Sequence, residues 1–427
     1  MALKDKLRER AAKQGPLRVG LVGAGQMGTG LISQIERMEG AQVVAVADVV
    51  PGRPAASFVE ASVKASVKEI NDAKAAADHI RQSGRVAMNN ADEMARIENV
   101  DVIVEATGVP EVGAKVCLAA IQAGKHIINM NVETDATVGY ILNRKAKEAG
   151  VIYSLAAGDE PGAIKEIYDF ADVLGFDIVM VGKGKNNPLD RTATPDTCAA
   201  RATEQQMSPK MLCSFVDGTK TMVEMTSIGN GLGFPPEITG AHGPACEVKD
   251  LAKVFVPQSE GGILKGTKVV DYAVGSVAPG VFVIITTDQP KIIKDLKYLR
   301  LNGHGNNWAL YRPYHLANLE TPMSIVRAVI YGEATLATEH PFVAETIAYA
   351  KRDLNPGDKI DALGGFTVYG MIERADVARK GDQLPLGLAV GGVIKHAVAK
   401  GQPIRYADID LNETQTIVKL RREQDAL

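Results

Sequence analysis

Cysteine is scarce in this chain and follows no pattern. The 427 residues hold four, Cys117, Cys198, Cys213 and Cys246, with no C-x-x-C spacing among them. That argues against a disulfide framework or a zinc knuckle and predicts reduced, buried thiols. No apolar run approaches the roughly 18 residues that a membrane-spanning helix needs. The first ten residues, ending at Arg10, read as a charged helix start with no signal-peptide core. A cytoplasmic protein with no membrane partner is therefore expected. Basic runs are missing too: 48 Lys and Arg stand against 51 Asp and Glu, for a net charge of −3, so nucleic acid is not an expected partner either. Internal repeats and low-complexity tracts are also absent, so the length has to come from separate domains. At roughly 150 residues each, two or three are expected.

What is present begins at residues 17–30, where a short apolar strand runs into a glycine turn and then a helix. Gly23, Gly25 and Gly28 stand in the G-x-G-x-x-G register of a dinucleotide site. There the first glycine makes the turn, the second admits a pyrophosphate against the backbone, and the third lets helix lie on strand. Gln26 and Met27 open the helix, whose free N–H groups and positive dipole end face the phosphates. A second apolar strand ends in Asp48, 20 positions after Gly28, where a ribose-binding carboxylate belongs. Asp48 favours NAD. Arg53, five residues on, offers a cation for the 2′-phosphate of NADP, so the choice between the two stays open.

Strand and helix then alternate to about residue 155, which predicts a doubly wound parallel sheet. A long connection over 51–90 contains an alanine-rich helical run at 63–81. Strands follow at 100–106, 126–129 and 151–155, and helices at 110–123 and 133–149. Ligands of such sheets sit beyond the carboxyl ends of the strands. That places Thr107, Gly108, Asn129 and Asn131 beside the nicotinamide and its ribose, unless they serve turn chemistry alone.

Beyond 155 the chemistry-bearing residues gather. Asp159 and Glu160 precede Pro161 at a helix start, as a cap, a metal ligand or a proton carrier. Lys183 and Lys185 flank a glycine at a strand end, so both side chains leave one face toward a single oxygen, with Asn187 adjacent. Residues 210–230, from Lys210 onward, read as one helix. Its Glu224 lies among apolar residues and needs a partner, either Lys220 at i−4 or a substrate. His242 sits in a glycine-flanked loop. Arg312 and His315, around a proline amid aromatics, suit a clamp for a distal carboxylate or phosphate. Residues 321–330 read as an apolar helix of the middle domain's core or of a subunit contact. From about 349 the pattern turns to short strands and turns.

With these residues in view the chain resembles the homoserine-dehydrogenase-like proteins that carry a C-terminal SAF-type domain, and among them the deoxyxylulose-5-phosphate reductoisomerase-like family. The resemblance is carried by Gly23-x-Gly25-x-x-Gly28, Ala106-Thr-Gly108, Gly158-Asp-Glu-Pro-Gly162, Gly182-Lys-Gly-Lys-Asn-Asn187, Tyr311-Arg-Pro-Tyr-His315 and Asn355-Pro-Gly-Asp358. It implies NADPH binding and conversion of 1-deoxyxylulose 5-phosphate to methylerythritol 4-phosphate by rearrangement and hydride transfer, with Mg or Mn. Relatives of this kind also act on branched sugar acids. Asn131-Val-Glu133 stands where a homoserine dehydrogenase has lysine, which argues against homoserine. The expected architecture is a Rossmann α/β domain (1–155), an α+β catalytic and oligomerisation domain (156–345) and a small β-rich SAF-like domain (346–427), assembled as a homo-oligomer acting on a small molecule. Simple dehydrogenation of a sugar acid and a non-catalytic nucleotide sensor are the competing functions.

Overall fold

The computed structural model describes residues 2–186, 189–205 and 207–427. The chain divides into two compact units, one built from residues 1–162, 316–339 and 419–427 and the other from 163–315 and 340–418. Among the described residues no helix is long and apolar enough to cross a membrane. All four cysteines are free and buried.

The first unit is built on a parallel sheet of β1 (Leu17–Val22), β2 (Ala41–Ala47), β3 (Val67–Glu69), β4 (Arg85–Met88), β5 (Val102–Glu105), β6 (His126–Asn129) and β7 (Tyr153–Leu155), in the order β3-β4-β2-β1-β5-β6-β7. Central strands lie under helices on both faces, so they read as continuous apolar runs. Chain order reverses on either side of β1, which makes the β1–β5 crevice the switch point where ligands of such sheets bind.

The stretch 51–90 differs from the expectation. In place of one helical run over 63–81 there is a helix Arg53–Glu60, the edge strand β3 and a helix Ala73–Arg81 capped by Asp72. The three residues of β3 are largely exposed, so no alternation marked them. The segment expected to be a middle-domain helix over 321–330 also lies elsewhere. Its helix, Ala317–Val326, belongs to the first unit and packs on the helix Gln26–Ile35. Ser324 Oγ accepts from Ala157 N at 2.7 Å, and Leu155 N donates to Leu336 O at 2.8 Å beside β7.

One helix of this unit is broken and repaired. Within Val132–Glu148, Val138 has φ −140°, far from helical, which opens the bond that Ile141 N–H would make to Thr137 C=O. The Gln424 amide fills the gap: its Oε1 accepts from Ile141 N at 3.1 Å and its Nε2 donates to Thr137 O at 3.4 Å. Arg421 Nη1 adds a donor to the same carbonyl at 3.3 Å.

The second unit holds a mixed sheet of β8 (Asp177–Lys185), β9 (Val269–Val274), β10 (Val281–Thr286), β11 (Gly303–His304) and β12 (Asn307–Arg312), ordered β11-β12-β10-β8-β9. Met180, Phe282, Ile284 and Phe255 form an apolar layer on one face. The stretch expected as one helix over 210–230 is two, Pro209–Val216 and Thr219–Leu232, because Gly218 turns left-handed at φ 88°. The second of these helices is buried from Thr221 to Asn230 and packs against β9, β13 (Ala344–Ala350) and β14 (Val368–Arg374). Asn230 Oδ1 accepts from Val343 N and Ala344 N, both at 2.9 Å. Lys351, after β13, donates to Ala193 O and Gly365 O at 2.8 Å and pairs with the buried Asp217 at 2.7 Å.

Replacing Gln424 by Leu leaves a buried N–H and its carbonyl without the inserted amide, so the variant is expected to lose about 1–3 kcal/mol. Denaturant unfolding checks this, and a Gln424→Glu variant, which keeps one acceptor and loses the donor, should fall between.

Candidate active site

Unit one presents a nucleotide cradle made of backbone. Gly23 lies at φ 104°, and a Cβ there would stand 2.7 Å from Ala106 O on the neighbouring strand. At Gly28 a Cβ would overlap the Gly23 carbonyl, so the helix can lie this close only with glycine. Gly25, in contrast, has nothing within 4 Å of where its Cβ would be. The space that a side chain would fill is left open at the one glycine of the three that a pyrophosphate must approach. Gln26 and Met27 are exposed on the helix's first turn. These residues fit a dinucleotide.

Asp48 is more tightly held than a ribose ligand need be. Oδ2 accepts from Ala24 N and Oδ1 from Val50 N, each at 2.9 Å, so the carboxylate pins the glycine loop to the turn after β2. Arg53, half exposed, stands 3.6 Å from Asp48 Oδ1.

At the end of β5, Gly108 has φ 67° and open space at its Cβ position, and Thr107 is half-buried. The residue that holds this turn was not singled out in the sequence. Glu105 is 0 % exposed, and its Oε1 accepts from Thr107 N at 3.0 Å and from the Thr107 hydroxyl. Burial pushes the Glu105 carboxyl up to about 7, against the pull of Thr107's two donors. An acid ending the apolar run Val102-Ile-Val-Glu105 was the available signal. Asn129 and Asn131 correct the expectation placed on them. Both are 0 % exposed, so neither faces a ligand. Asn129 Nδ2 donates to Asn131 O and Tyr153 OH, and Asn131 caps the helix Val132–Glu148 through Thr134 N at 3.1 Å. Asp159 and Glu160 also lie in this unit, Glu160 opening the helix Glu160–Val173 with Asp159 just before it.

In unit two the structure brings together Lys183, Lys185 and Glu224. Both lysines leave β8 on the face covered by the helix Thr219–Leu232, and they are 5 % and 4 % exposed, with Glu224 at 2 %. Lys183 Nζ donates to Glu224 Oε2. Lys220 Nζ stands 4.0 Å from the other carboxylate oxygen, so the partner expected at i−4 is present and secondary. Lys185 Nζ donates to Phe215 O at 2.6 Å. Burial, and next the charge of Lys183, push the Lys185 ammonium down to about 8, near enough to neutrality for proton transfer. Asn187 lies outside the described residues.

The remaining candidates are exposed or bond elsewhere, Arg312 from the same sheet face as Lys183, since both are register partners of Val281. Lys210 is exposed on the helix Pro209–Val216. His242 Nδ1 bonds Asp271 at 2.7 Å, and its Nε2 stands 3.4 Å from Glu237; the Asp271 hydrogen bond holds the imidazole above its usual range. Arg312 and His315 do not form the expected clamp. Arg312 pairs with Glu166 at 3.0 Å and lies over the Tyr314 ring, while His315 Nδ1 bonds Pro279 O at 2.6 Å. A rigid proline turn keeps neighbours in sequence apart as readily as it joins them.

The Glu105 carboxyl gives a pH signature. Below about pH 4.5 folded and unfolded chains both carry its proton. As pH rises to about 7 the unfolded chain releases the proton first, and the folded state loses about 3 kcal/mol. Glu105→Gln should lack that loss, so its melting point should gain on the wild type steadily from pH 5 to pH 8.

Residues 23–155 match the family model "Homoserine dehydrogenase, NAD binding domain", residues 158–321 "Oxidoreductase DRL, catalytic domain", and residues 345–410 "SAF domain". No curated protein matches the chain by sequence. Among solved structures it is similar to a probable dehydrogenase from Thermotoga maritima (13% identity, 74% of this chain and 90% of that one, TM-score 0.43). It is also similar to scyllo-inositol dehydrogenase from Lactobacillus casei (14%, 70% and 76%, 0.38) and to 1-deoxy-D-xylulose 5-phosphate reductoisomerase from Zymomonas mobilis (21%, 49% and 57%, 0.35). At scores this low the likenesses carry no argument about substrate. In chain order the protein carries an NAD-binding domain, an oxidoreductase catalytic domain and an SAF domain, and it is an NAD(P)-dependent oxidoreductase.

Proposed function

We propose that this oxidoreductase reduces a small, polyhydroxylated, anionic carbonyl compound after rearranging its carbon skeleton, as in the conversion of 1-deoxyxylulose 5-phosphate to methylerythritol 4-phosphate. The observation that carries the reading is the buried Lys183, Lys185 and Glu224 group in the segment that matches an oxidoreductase catalytic domain. Two ammonium groups on one strand face suit an oxygen that gains charge as a carbon–carbon bond migrates or a carbonyl is reduced. Glu224 pairs with Lys183 and holds its ammonium on that face of β8. Lys185, poised at about 8, gives its proton to the new alkoxide.

The bound nicotinamide supplies the hydride. The chain's share in seating it is the glycine loop, the helix start at Gln26 and the turn at Thr107 and Gly108. Asp48 is already committed to two backbone N–H groups, and Arg53 is the nearby cation for a 2′-phosphate, which favours NADPH. Asp159 and Glu160 are proposed as hard oxygen ligands for Mg or Mn.

The test is incubation with 1-deoxyxylulose 5-phosphate and NADPH, with NMR of the product. A branched skeleton carrying label from NADPH supports the reading. An unbranched labelled product points to plain dehydrogenase chemistry, and no turnover across a sugar-acid panel overturns both.

Two outcomes follow from the geometry. The rate of reduction should fall as pH rises past about 8 and Lys185 loses its proton, while the reverse oxidation rises over the same interval. Lys185→Met should remove both inflexions along with most of kcat. Arg53→Gln should raise KM for NADPH about tenfold, roughly 1.4 kcal/mol, and leave KM for NADH nearly unchanged.

A further inference from the structure

Arg191 was not among the residues singled out in the sequence, and it is half-buried. It has no carboxylate within ion-pair distance among the described residues, whereas Arg312 has Glu166 and Arg352 has Asp358. Its position is nonetheless fixed. Asp190 Oδ1 accepts from Thr192 N at 2.9 Å and from the Thr192 hydroxyl at 2.7 Å, which closes the turn that carries Arg191. Asp190 N donates to Val216 O at 3.0 Å, tying that turn to the residue after Phe215, whose carbonyl takes the Lys185 ammonium.

The guanidinium lies over the Tyr369 ring, with Cζ 6.0 Å from the centroid, and a Cβ at Gly240 would stand 3.3 Å from its Nη2. Tyr349 packs on Tyr369 with ring centres 5.7 Å apart. Burial raises the phenols of Tyr272, Tyr349 and Tyr369, the charges of Asp271, Glu373 and Asp217 add to it in turn, and the Arg191 charge opposes it in all three. The three tyrosines are 3 %, 9 % and 5 % exposed at 272, 349 and 369. Among the described residues their hydroxyls donate to no protein acceptor, and none of these oxygens is sealed from solvent. Among the described residues the guanidinium and phenols are donors whose neighbouring acids are engaged elsewhere, Asp271 by His242 and Gly243 N and Asp217 by Lys351, which is the chemistry of an anion site. Glu373, the nearest acid to act on Tyr349, is engaged by the Thr239 hydroxyl and by Arg374 N at 2.8 Å.

The placement relative to the lysines follows from the sheet. Tyr272 on β9 is the register partner of Lys183 on β8, so the two side chains stand side by side on the same face.

We propose that Arg191, with the hydroxyls of Tyr272 and Tyr369, anchors the phosphate monoester of the substrate. A tetrahedral dianion takes donors from several directions, which a planar fork and phenols on separate strands supply. The assignment rests on the reading that Lys183 and Lys185 hold the reacting end, and it moves the distal anchor from Arg312 to Arg191.

The test is calorimetric titration of the full-length protein with inorganic phosphate under saturating NADP⁺, so that the glycine loop is already occupied. Wild type should bind, Arg191→Gln should weaken binding at least tenfold, Tyr272→Phe should weaken it two- to fivefold, and Arg191→Lys should fall between. Melting curves of the Arg191 variants should match wild type, since the guanidinium has no protein carboxylate to lose. Phosphate binding that is absent in wild type, that persists in Arg191→Gln, or that is lost in Arg312→Gln instead overturns the assignment. Because the titration needs no turnover, it separates failure of this anchor from failure of the proposed reaction: a protein inert toward every phosphosugar can still bind phosphate through Arg191, and an active one can fail to.

Discussion

Two lysines and a glutamate taken out of water on one face of β8 set the terms for the rest of the second unit. A buried charge costs several kcal/mol unless it is paired and its remaining bonding capacity is met. Lys183 against Glu224 meets that condition, and Lys185 meets it in part through the Phe215 carbonyl. The helix Thr219–Leu232 has to be buried along most of its length for Glu224 to arrive where it does, and that requires apolar or bonded surface on every side. Asn230 and Thr226 bond it to β13, and Thr219 Oγ1 accepts from Gly370 N on β14 at 2.9 Å. The small β-rich part of the chain is thus the wall against which the helix carrying Glu224 is held. Lowering the Lys185 proton affinity toward neutrality is a consequence of the same burial, since a second ammonium beside Lys183 in a dry place is disfavoured.

The first unit differs in what it offers a ligand. Its ligand surface is backbone: a left-handed glycine, a helix start and a turn held by an acid that burial keeps close to neutral. Where the fold breaks a helix at Val138, an amide side chain from the end of the chain stands in for the lost bond. Glu105 departs from this pattern. A carboxyl that titrates near neutrality sits directly behind the Thr107 turn, so the firmness of that turn depends on whether the oxygens that accept from it carry charge.

Much of the scaffold was legible because the relevant signals are local. An apolar strand, three glycines in register and an acid after the next strand lie within 32 residues, from Leu17 to Asp48, and each constrains its neighbours directly. The alternation that follows marked β5, β6 and β7 for the same reason. What escaped was set by partners distant in sequence. β3 is an exposed edge strand whose only claim to be one is its pairing with β4. The helix over 317–326 gives no sign in its own residues that it returns to the first unit. Glu224 pointed to Lys220, four residues away, because Lys183 is 41 residues off. Asn129 and Asn131 sat where strand-end residues meet ligands, yet each had backbone groups to satisfy nearer at hand, and a buried amide satisfies those first. Arg312 and His315 were paired by their closeness in sequence, while space gave one to Glu166 and the other to a carbonyl.

The contrast between Arg312 and Arg191 shows what separates a structural cation from an anion receptor. Both lie beside a tyrosine ring, Arg312 at the end of β12 and Arg191 on a turn. Arg312 has an acid 3.0 Å away, so a ligand anion would have to compete with a carboxylate already in place. Among the described residues Arg191 has no carboxylate at ion-pair distance, so an arriving anion meets no competing acid there. Gly240, where a Cβ would stand 3.3 Å from Arg191 Nη2 and 3.1 Å from the Met371 methyl, brings no acid to it. Neutral neighbours leave the cation's charge to whatever binds, and the fold carries the unpaired charge until then.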